Sequence, residues 1–260
     1  FEDIEKKNKK FFIHFGDITD STWSNKLIHL VGWWDDGKRG IYISSSSGGT
    51  QEYQQNDGAP NFNRTGDGLT IGGHPNTPNY HAKGIRVYGF RVWHEKLTLS
   101  KAQELYALGA SGSVFSSSSP VIIPSTPSHS WDFRETWSSN SIKDEIGGSL
   151  DAVGYNVASY SSSGAELNGT SSYIQLDPWL FGGNNLTFEA YVTTGSTFTT
   201  QKSARMLEFS TNGRFSSTGG FVFQLREWSG PNRIRLAGEN NGTQVNDIIA
   251  VDNYWGNNES

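Results

Sequence analysis

Apolar and polar residues alternate with a period of two along much of this chain, which is the pattern of β-strands that bury one face. The clearest example is residues 85–93, with the sequence IRVYGFRVW. Residues 186–192 repeat the pattern and place Phe188, Ala190 and Val192 on one face. Alternation of this kind predicts antiparallel strands rather than helices in both regions.

Turn residues divide these strands into short units. Asp35-Asp36-Gly37 separates a strand that begins at residue 26 from the run at residues 40–43, which predicts a hairpin over residues 26–43. Asn168-Gly169 lies between two further predicted strands. Other short strands are predicted at residues 11–15 and in the following sequences: GLTIGG, SWDF, ARMLEFS, GGFVFQLRE and NRIRLAGE. Residues 44–67 are polar and rich in glycine, so we expect no strand there.

One short helix is predicted after residue 96. Ser100 is expected to be its N-cap and Gly109 to mark its end. The apolar residues that can share one side of it are Leu97, Ala102, Leu105 and Leu108.

Composition narrows the protein class. The 260 residues include 30 glycines and 13% aromatic residues but no cysteine, so burial of apolar groups must stabilise the fold without disulfides. No apolar run approaches the ~20 residues of a membrane helix, and we expect no membrane insertion. The formal net charge is −5 with no basic stripe, so nucleic acid is not an expected partner.

The order of the patterns along the chain is unusual. Residues 84–108 have the strand and docked helix of a closing unit, whereas residues 129–192 have the pattern of an opening unit. Between them, residues 111–128 are rich in Ser and Pro and predict a connector. The sequence therefore predicts an end joined to a beginning.

These residues resemble a known superfamily. The runs WSNKLIHLVGWWDDGKRGIYI, LTIGG and AKGIRVYGFRVWHEKLTLSKAQELY resemble the later half of a laminin-G-like or pentraxin-like jelly roll of the concanavalin A-like lectin and glucanase superfamily. The runs WDFR, ELNGTSSYIQL and LTFEAYV resemble its earlier half. The resemblance implies an all-β, antiparallel jelly-roll sandwich with residues 1–110 as the later half, 111–128 as the linker and 129–260 as the earlier half.

Each half needs a partner, because a half alone would leave strand edges and an apolar face uncovered. Three arrangements supply one: a single circularly permuted domain, pairing with a half from a neighbouring molecule, or a segment cut from a tandem array. We favour the permuted domain, because a linker of about 18 residues at ~3.3 Å each easily spans neighbouring strands.

The resemblance implies sugar binding or glycan cleavage. Glucanases of this superfamily use paired carboxylates, but the chain has no Glu-x-Asp-x-x-Glu run, and Glu189 lacks a second acid at period two. The Gln-Ile-His run of lyases with a similar fold is also absent. We therefore predict no catalytic residues and expect the chain not to be an enzyme.

Sugar binding needs exposed aromatic rings beside amide or carboxylate groups. Trp33 and Trp34 are adjacent, so their side chains point to opposite faces of a strand, and one of them is expected to be exposed. A Tyr in the loop at residues 74–84 and a Trp near residue 230 offer further rings. The predicted carbohydrate-binding residues are Trp34, Asn76, Asn79, Tyr80, His81, Trp228 and Asn232.

Other ligands receive weaker support. Asp35 and Asp36 can ligate calcium, although a plain hairpin turn is the favoured explanation, and no cofactor is required. The six histidines lack the spacing of a zinc site; His74 and His81 share only a loop. Sequons permit glycosylation at Asn63, Asn168, Asn185, Asn241 and Asn258.

Two functional classes follow. The first is a noncatalytic lectin-like or adhesive module that binds glycans or glycoproteins at an extracellular, cell or virion surface. The second is a structural subunit of a surface filament, fibre or virion, whose partners are copies of itself or neighbouring modules. A glycan-cleaving enzyme is the third alternative, because fold alone does not determine chemistry.

Overall fold

The computed structural model describes most of the chain between residues 27 and 251. The described residues are 27–35, 38–45, 49–55, 69–73, 81–110, 125–135, 137–138, 140–146, 150–157, 159–161, 164–176, 185–195, 205–210, 220–224, 234–240 and 243–251. They form 16 β-strands and one α-helix. The strand predicted at residues 11–15 lies outside them.

The elements are short, as the turn spacing predicts. The helix α1 spans Leu99–Ala110, between the fifth and sixth strands. The strands in chain order are β1 (Leu27–Asp35), β2 (Lys38–Ser45), β3 (Gly49–Gln55), β4 (Leu69–Ile71), β5 (Lys83–Trp93), β6 (His129–Asp132), β7 (Ser141–Ile142), β8 (Ala152–Tyr155), β9 (Ser159–Ser161), β10 (Gly164–Asn168), β11 (Tyr173–Leu176), β12 (Leu186–Thr194), β13 (Arg205–Ser210), β14 (Gly220–Gln224), β15 (Ile234–Asn240) and β16 (Thr243–Val251).

These strands make two antiparallel sheets that pack as an all-β sandwich, so the predicted fold class is confirmed at this level. Sheet A has the order β3-β2-β1-β12-β5-β10-β9, and β6 pairs with β5 beside β10. Sheet B has the order β16-β15-β14-β13-β4-β11-β8-β7. The hairpin predicted over residues 26–43 is confirmed, since β1 and β2 pair antiparallel with Asp35 opposite Lys38.

Each sheet combines strands that precede the connector with strands that follow it. In sheet A, β12 lies between β1 and β5. In sheet B, β4 lies between β13 and β11. Residues before and after the connector therefore supply hydrogen-bonding partners to each other, and removing either set would interrupt both sheets.

The main core lies between the sheets and is rich in aromatic side chains. Trp34 of β1 packs on Phe188 of β12 with ring centroids 5.7 Å apart. Phe188 in turn meets Phe223 of sheet B edge-on at 5.7 Å. Ala190 and Val192 join Phe188 in this core, so the face predicted for β12 is confirmed. Full burial of a large apolar side chain such as Phe188 stabilises the fold by about 1.5–3 kcal/mol.

The helix α1 covers the opposite face of sheet A and creates a second apolar layer. Val31, Trp33 and Tyr42 pack with Ala102 of the helix. The Tyr42 hydroxyl donates a hydrogen bond to the Leu97 carbonyl at 3.1 Å. Both faces of the central strands of sheet A are therefore buried.

This second layer corrects the prediction for the tryptophan pair. Trp33 and Trp34 do point to opposite faces of β1, but both side chains are fully buried. Trp34 faces the core between the sheets, and Trp33 faces the helix. The expectation that one ring is exposed is wrong, because the sequence pattern of β1 does not show that a helix covers its outer face.

The predicted helix exists, with different ends. The hydroxyl of Thr98 accepts a hydrogen bond from the Lys101 N–H at 3.3 Å, so Thr98 caps the helix. Ser100 lies within the first turn and its hydroxyl donates to Glu104, so its prediction as the N-cap is wrong. The helix also continues through Gly109 to Ala110.

The turn at Asn168-Gly169 connects the two sheets rather than two strands of one sheet. Both predicted strands are confirmed, but β10 belongs to sheet A and β11 to sheet B. The Asn168 Oδ1 accepts hydrogen bonds from the N–H groups of Thr170, Ser171 and Ser172 at 2.8, 3.0 and 3.1 Å. Gly169 has a φ of 76°, a left-handed conformation that glycine adopts without strain.

One strand, β3, lies where the sequence predicted none. Residues 49–55 were expected to lack a strand because they are polar, yet β3 pairs along the whole length of β2. β3 is the outermost strand of sheet A, and its Glu52 and Gln54 side chains are exposed, so an apolar pattern is not needed there. In the part of the chain that the structure describes, no helix is long and apolar enough to cross a membrane.

Candidate functional site

Two tyrosines form an aromatic pair on the outer face of sheet B. Tyr155 of β8 and Tyr173 of β11 lie directly opposite each other in the antiparallel register. Their ring centroids are 4.7 Å apart and the ring planes differ by only 11°. Ile174 and Leu176 point into the core, so alternation along β11 directs Tyr173 to the outer face. We call Tyr155 and Tyr173 the aromatic platform.

The platform combines order with solvent access. Tyr155 is 41% exposed, and among the described residues only one other large hydrophobic side chain, Ile146, has a similar exposure. Tyr173 is half-buried. Burial, and then the neighbouring Tyr155 hydroxyl, raise the pKa of Tyr173, so its phenol stays neutral at physiological pH. Aromatic rings that solvent can reach in this way suit stacking against an apolar ligand face.

Amide and hydroxyl groups lie beside the platform where its two strands end. Asn156 follows Tyr155 directly, and its Nδ2 donates to the Ser171 carbonyl at 3.4 Å. The Asn168 Nδ2 donates to the Asn156 carbonyl at 3.3 Å, so the two loops are joined. Asn156, Thr170 and Ser171 are exposed. We call Asn156, Asn168, Thr170 and Ser171 the polar rim; all four side chains are uncharged.

His81 supports the platform from the interior. Its ring meets that of Tyr173 edge-on, with centroids 6.1 Å apart. Its Nδ1 donates to the Ser172 carbonyl at 2.9 Å. Because the His81 side chain is only 1% exposed, it positions Tyr173 and does not itself reach a ligand. The prediction that His81 contacts carbohydrate is corrected accordingly.

The other predicted carbohydrate-binding residues are not part of the aromatic platform. Trp34 is fully buried between the sheets and offers no ring surface to a ligand, which corrects its prediction. The remaining residues lie outside the described part of the chain: Asn76, Asn79, Tyr80, Trp228 and Asn232.

The predicted calcium and glycosylation positions are partly described. Asp35 ends β1 opposite Lys38, whereas Asp36 lies outside the described residues. Asn168 is engaged on both its oxygen and its nitrogen, whereas Asn185 is exposed immediately before β12. Asn63, Asn241 and Asn258 lie outside the described residues.

Three carboxylates gather on the outer face of sheet A. Asp132, Glu135 and Glu145 place ligand atoms within 4.8 Å of one another, the one such acidic group found among the described residues. Partial burial, then Glu135 and Asp132, raise the pKa of Glu145. Arg134 Nη2 already pairs with Asp132 Oδ2 at 3.0 Å. Oxygen ligands of this type suit calcium, but the cluster lies on the opposite side of the sandwich from the aromatic platform.

Glu189, the carboxylate singled out in the enzyme alternative, lies beneath the helix. Its Oε1 is 2.6 Å from His29 Nε2, and its Oε2 accepts a hydrogen bond from Arg91 Nε at 2.6 Å. The Glu189 residue is only 1% exposed. A carboxylate enclosed in this way cannot contact a polysaccharide, so Glu189 is not a candidate for glycan cleavage.

The sequence contained a signal for the platform that the prediction missed. In YIQL, Ile174 and Leu176 mark the inward face, so Tyr173 must point outward. Tyr155 has no such signal, because AVGY is too short to show a face. Only the register between β8 and β11 brings Tyr155 against Tyr173.

Comparison of the chain with protein-family models, with curated proteins and with solved structures finds no match.

Proposed function

We propose that this chain is a noncatalytic, lectin-like carbohydrate-binding or adhesive module. The observation that carries the proposal is the ordered stack of Tyr155 on Tyr173, exposed on an outer sheet face. A pyranose presents C–H groups on one face, and these pack well on an aromatic ring. The aromatic platform supplies that ring surface.

The polar rim supports the same proposal. Sugar hydroxyls need donors and acceptors at the edge of the stacking surface. Asn156, Thr170 and Ser171 are exposed at this edge and carry both kinds of group. A single shallow site of this size binds weakly, so adhesion would gain strength through several copies on one surface.

We also propose that the fold is a circularly permuted jelly roll, with the later half of the sandwich supplied by residues 1–110. The alternation of strands from both ends of the chain within each sheet supports this arrangement. Because each end supplies its partner within one chain, a filament built from complementary half-domains has no specific observation in its favour. An extracellular or surface location accords with glycan binding.

The proposal is tested by a glycan array followed by calorimetric titration with the saccharides that bind. Tyr155→Ala is expected to weaken binding about tenfold, which corresponds to about 1.4 kcal/mol. Tyr155→Phe keeps the ring and is expected to bind almost as well as the unmodified chain. Ile146→Ala is the matched control, because Ile146 is the other exposed large hydrophobic side chain among the described residues and lies outside the aromatic platform.

Two results would refute the proposal. One is the absence of saccharide binding by the unmodified chain, with and without calcium. The other is binding that Tyr155→Ala leaves unchanged while its unfolding curve shows an intact fold.

A further inference from the structure

Two histidines, one before and one after the connector in the sequence, meet at one edge of sheet A. His129 is the first residue of β6 and pairs with Val92 of β5. His94 follows β5 directly, and the two imidazole centroids are 6.0 Å apart with ring planes at 63°. His94 is exposed, and the side chain of His129 retains 14% of its surface. Both rings can therefore be reached from solvent.

A buried carboxylate holds one of these rings. The His129 Nδ1 donates to Asp144 Oδ2 at 2.6 Å. The other oxygen of Asp144 accepts from the N–H groups of Ser130 and Ile146 at 3.0 and 3.1 Å. The Asp144 side chain has no exposed surface. Nδ1 is therefore the donor to Asp144, and Nε2 is the ring nitrogen that faces away from this carboxylate.

This arrangement is the one that proteins use around metal-bound histidine. A ligating imidazole commonly donates its other N–H to a carboxylate, which orients the ring and increases its basicity. Zinc binds imidazole nitrogen at about 2.0–2.1 Å, so two rings on one ion have centroids about 5 to 6.5 Å apart. The separation of 6.0 Å between His94 and His129 lies within that range.

We propose that His94 and His129 bind one divalent transition-metal ion of the class that prefers imidazole, namely Zn²⁺, Ni²⁺ or Cu²⁺, with Asp144 as the orienting carboxylate. Water completes the coordination sphere. The two ligands belong to the two parts of the chain that the connector separates, so the ion links β5 to β6 beside that junction. The site is independent of the aromatic platform, which lies on sheet B.

The proposal is tested by calorimetric titration of the intact chain with ZnCl₂ and with NiCl₂ near pH 7.5. One ion per chain is expected for the unmodified protein. His94→Ala and His129→Ala are each expected to abolish that binding event. Asp144→Asn is expected to weaken it about 10- to 100-fold, as loss of an orienting carboxylate does.

His74→Ala is the control, because His74 is not one of the proposed ligands. Thermal unfolding of each variant without metal verifies that it is folded. Electron paramagnetic resonance with Cu²⁺ supplies a second measurement, in which coupling to two imidazole nitrogens is expected for the unmodified chain and is lost in His94→Ala. Zinc binding that survives both His94→Ala and His129→Ala, or no binding to the unmodified chain, would overturn the proposal.

Discussion

Glu189 and His29 lie on neighbouring strands of sheet A, with Oε1 and Nε2 2.6 Å apart and both side chains sealed from solvent. Arg91, directly opposite Glu189 on β5, holds the other carboxylate oxygen. The ring of His29 also stacks on that of Tyr191, with centroids 4.6 Å apart. The ion pair of Glu189 and Arg91 thus lies between sheet A and the helix, in a position that apolar side chains usually fill.

Replacing Glu189 is expected to destabilise the fold strongly. Glu189→Gln removes the charged partner of the buried Arg91, and breaking a buried ion pair costs about 3 kcal/mol or more. Urea unfolding at pH 7 measures the loss. Glu166→Gln is the matched control, because Glu166 also lies directly opposite an arginine of β5, Arg86, but this pair is 36% and 44% exposed. A surface pair is worth less than about 1 kcal/mol, so equal losses in both variants would contradict the expectation.

The same carboxylate predicts a dependence of stability on pH. Burial alone would raise the pKa of Glu189, but the charge of Arg91 and the hydrogen bonds from His29 and Arg91 outweigh burial and lower it. The folded chain therefore binds its proton less readily than the unfolded chain does. This contribution is fully present above the ordinary carboxyl pKa of about 4.3 and is lost as the pH falls through the lowered pKa.

The measurement is urea unfolding at a series of pH values from 7 to 3. The difference in the free energy of unfolding between the unmodified chain and Glu189→Gln should be constant near neutral pH and shrink as the solution becomes acidic. A difference that stays constant down to pH 3 would show that folding does not lower the pKa of Glu189.

The contact between the helix and sheet A predicts an unusual effect of alanine. A Cβ added at Gly109 would fall inside the ring of Tyr191, whose hydroxyl donates to the Leu105 carbonyl. Gly→Ala inside a helix normally stabilises by up to about 1 kcal/mol. Here Gly109→Ala is expected to destabilise by about 1–3 kcal/mol, because the helix must move away from the sheet.

Thermal and urea unfolding check this expectation. Combining Gly109→Ala with Tyr191→Leu should cost less than the sum of the two single changes, since the smaller side chain makes room for the methyl group. Additive losses would show that the two residues do not constrain each other.

The turn at Asn168-Gly169 crosses from sheet A to sheet B, and we expect the Asn168 side chain to stabilise it. Asn168→Ala removes the acceptor of three backbone N–H groups and is expected to destabilise by about 1–3 kcal/mol. Asn168→Asp keeps the acceptor oxygen and is expected to lose less than about 1 kcal/mol. Equal losses in the two variants, measured by urea unfolding, would mean that the oxygen does not hold the turn.

Local patterns predicted the elements well and their surroundings poorly. Alternation located β5 and β12, and Asp35-Asp36-Gly37 located the first hairpin, because period and turn chemistry act over a few neighbouring residues. The polar strand β3 escaped prediction, because an edge strand needs no apolar face. Tyr155 could not be linked to Tyr173 without knowing which strands pair.

The sequence by itself determined that this protein is built from short antiparallel strands with one helix, since those choices depend on side-chain period, caps and turns. Only the tertiary structure decided that both Trp33 and Trp34 are buried, that Glu189 is enclosed with His29 and Arg91, and that strands from both ends of the chain alternate in each sheet. The physical reason is distance along the chain. Burial and pairing depend on residues that are scores of positions apart, and no local pattern records which distant surface will cover a given face.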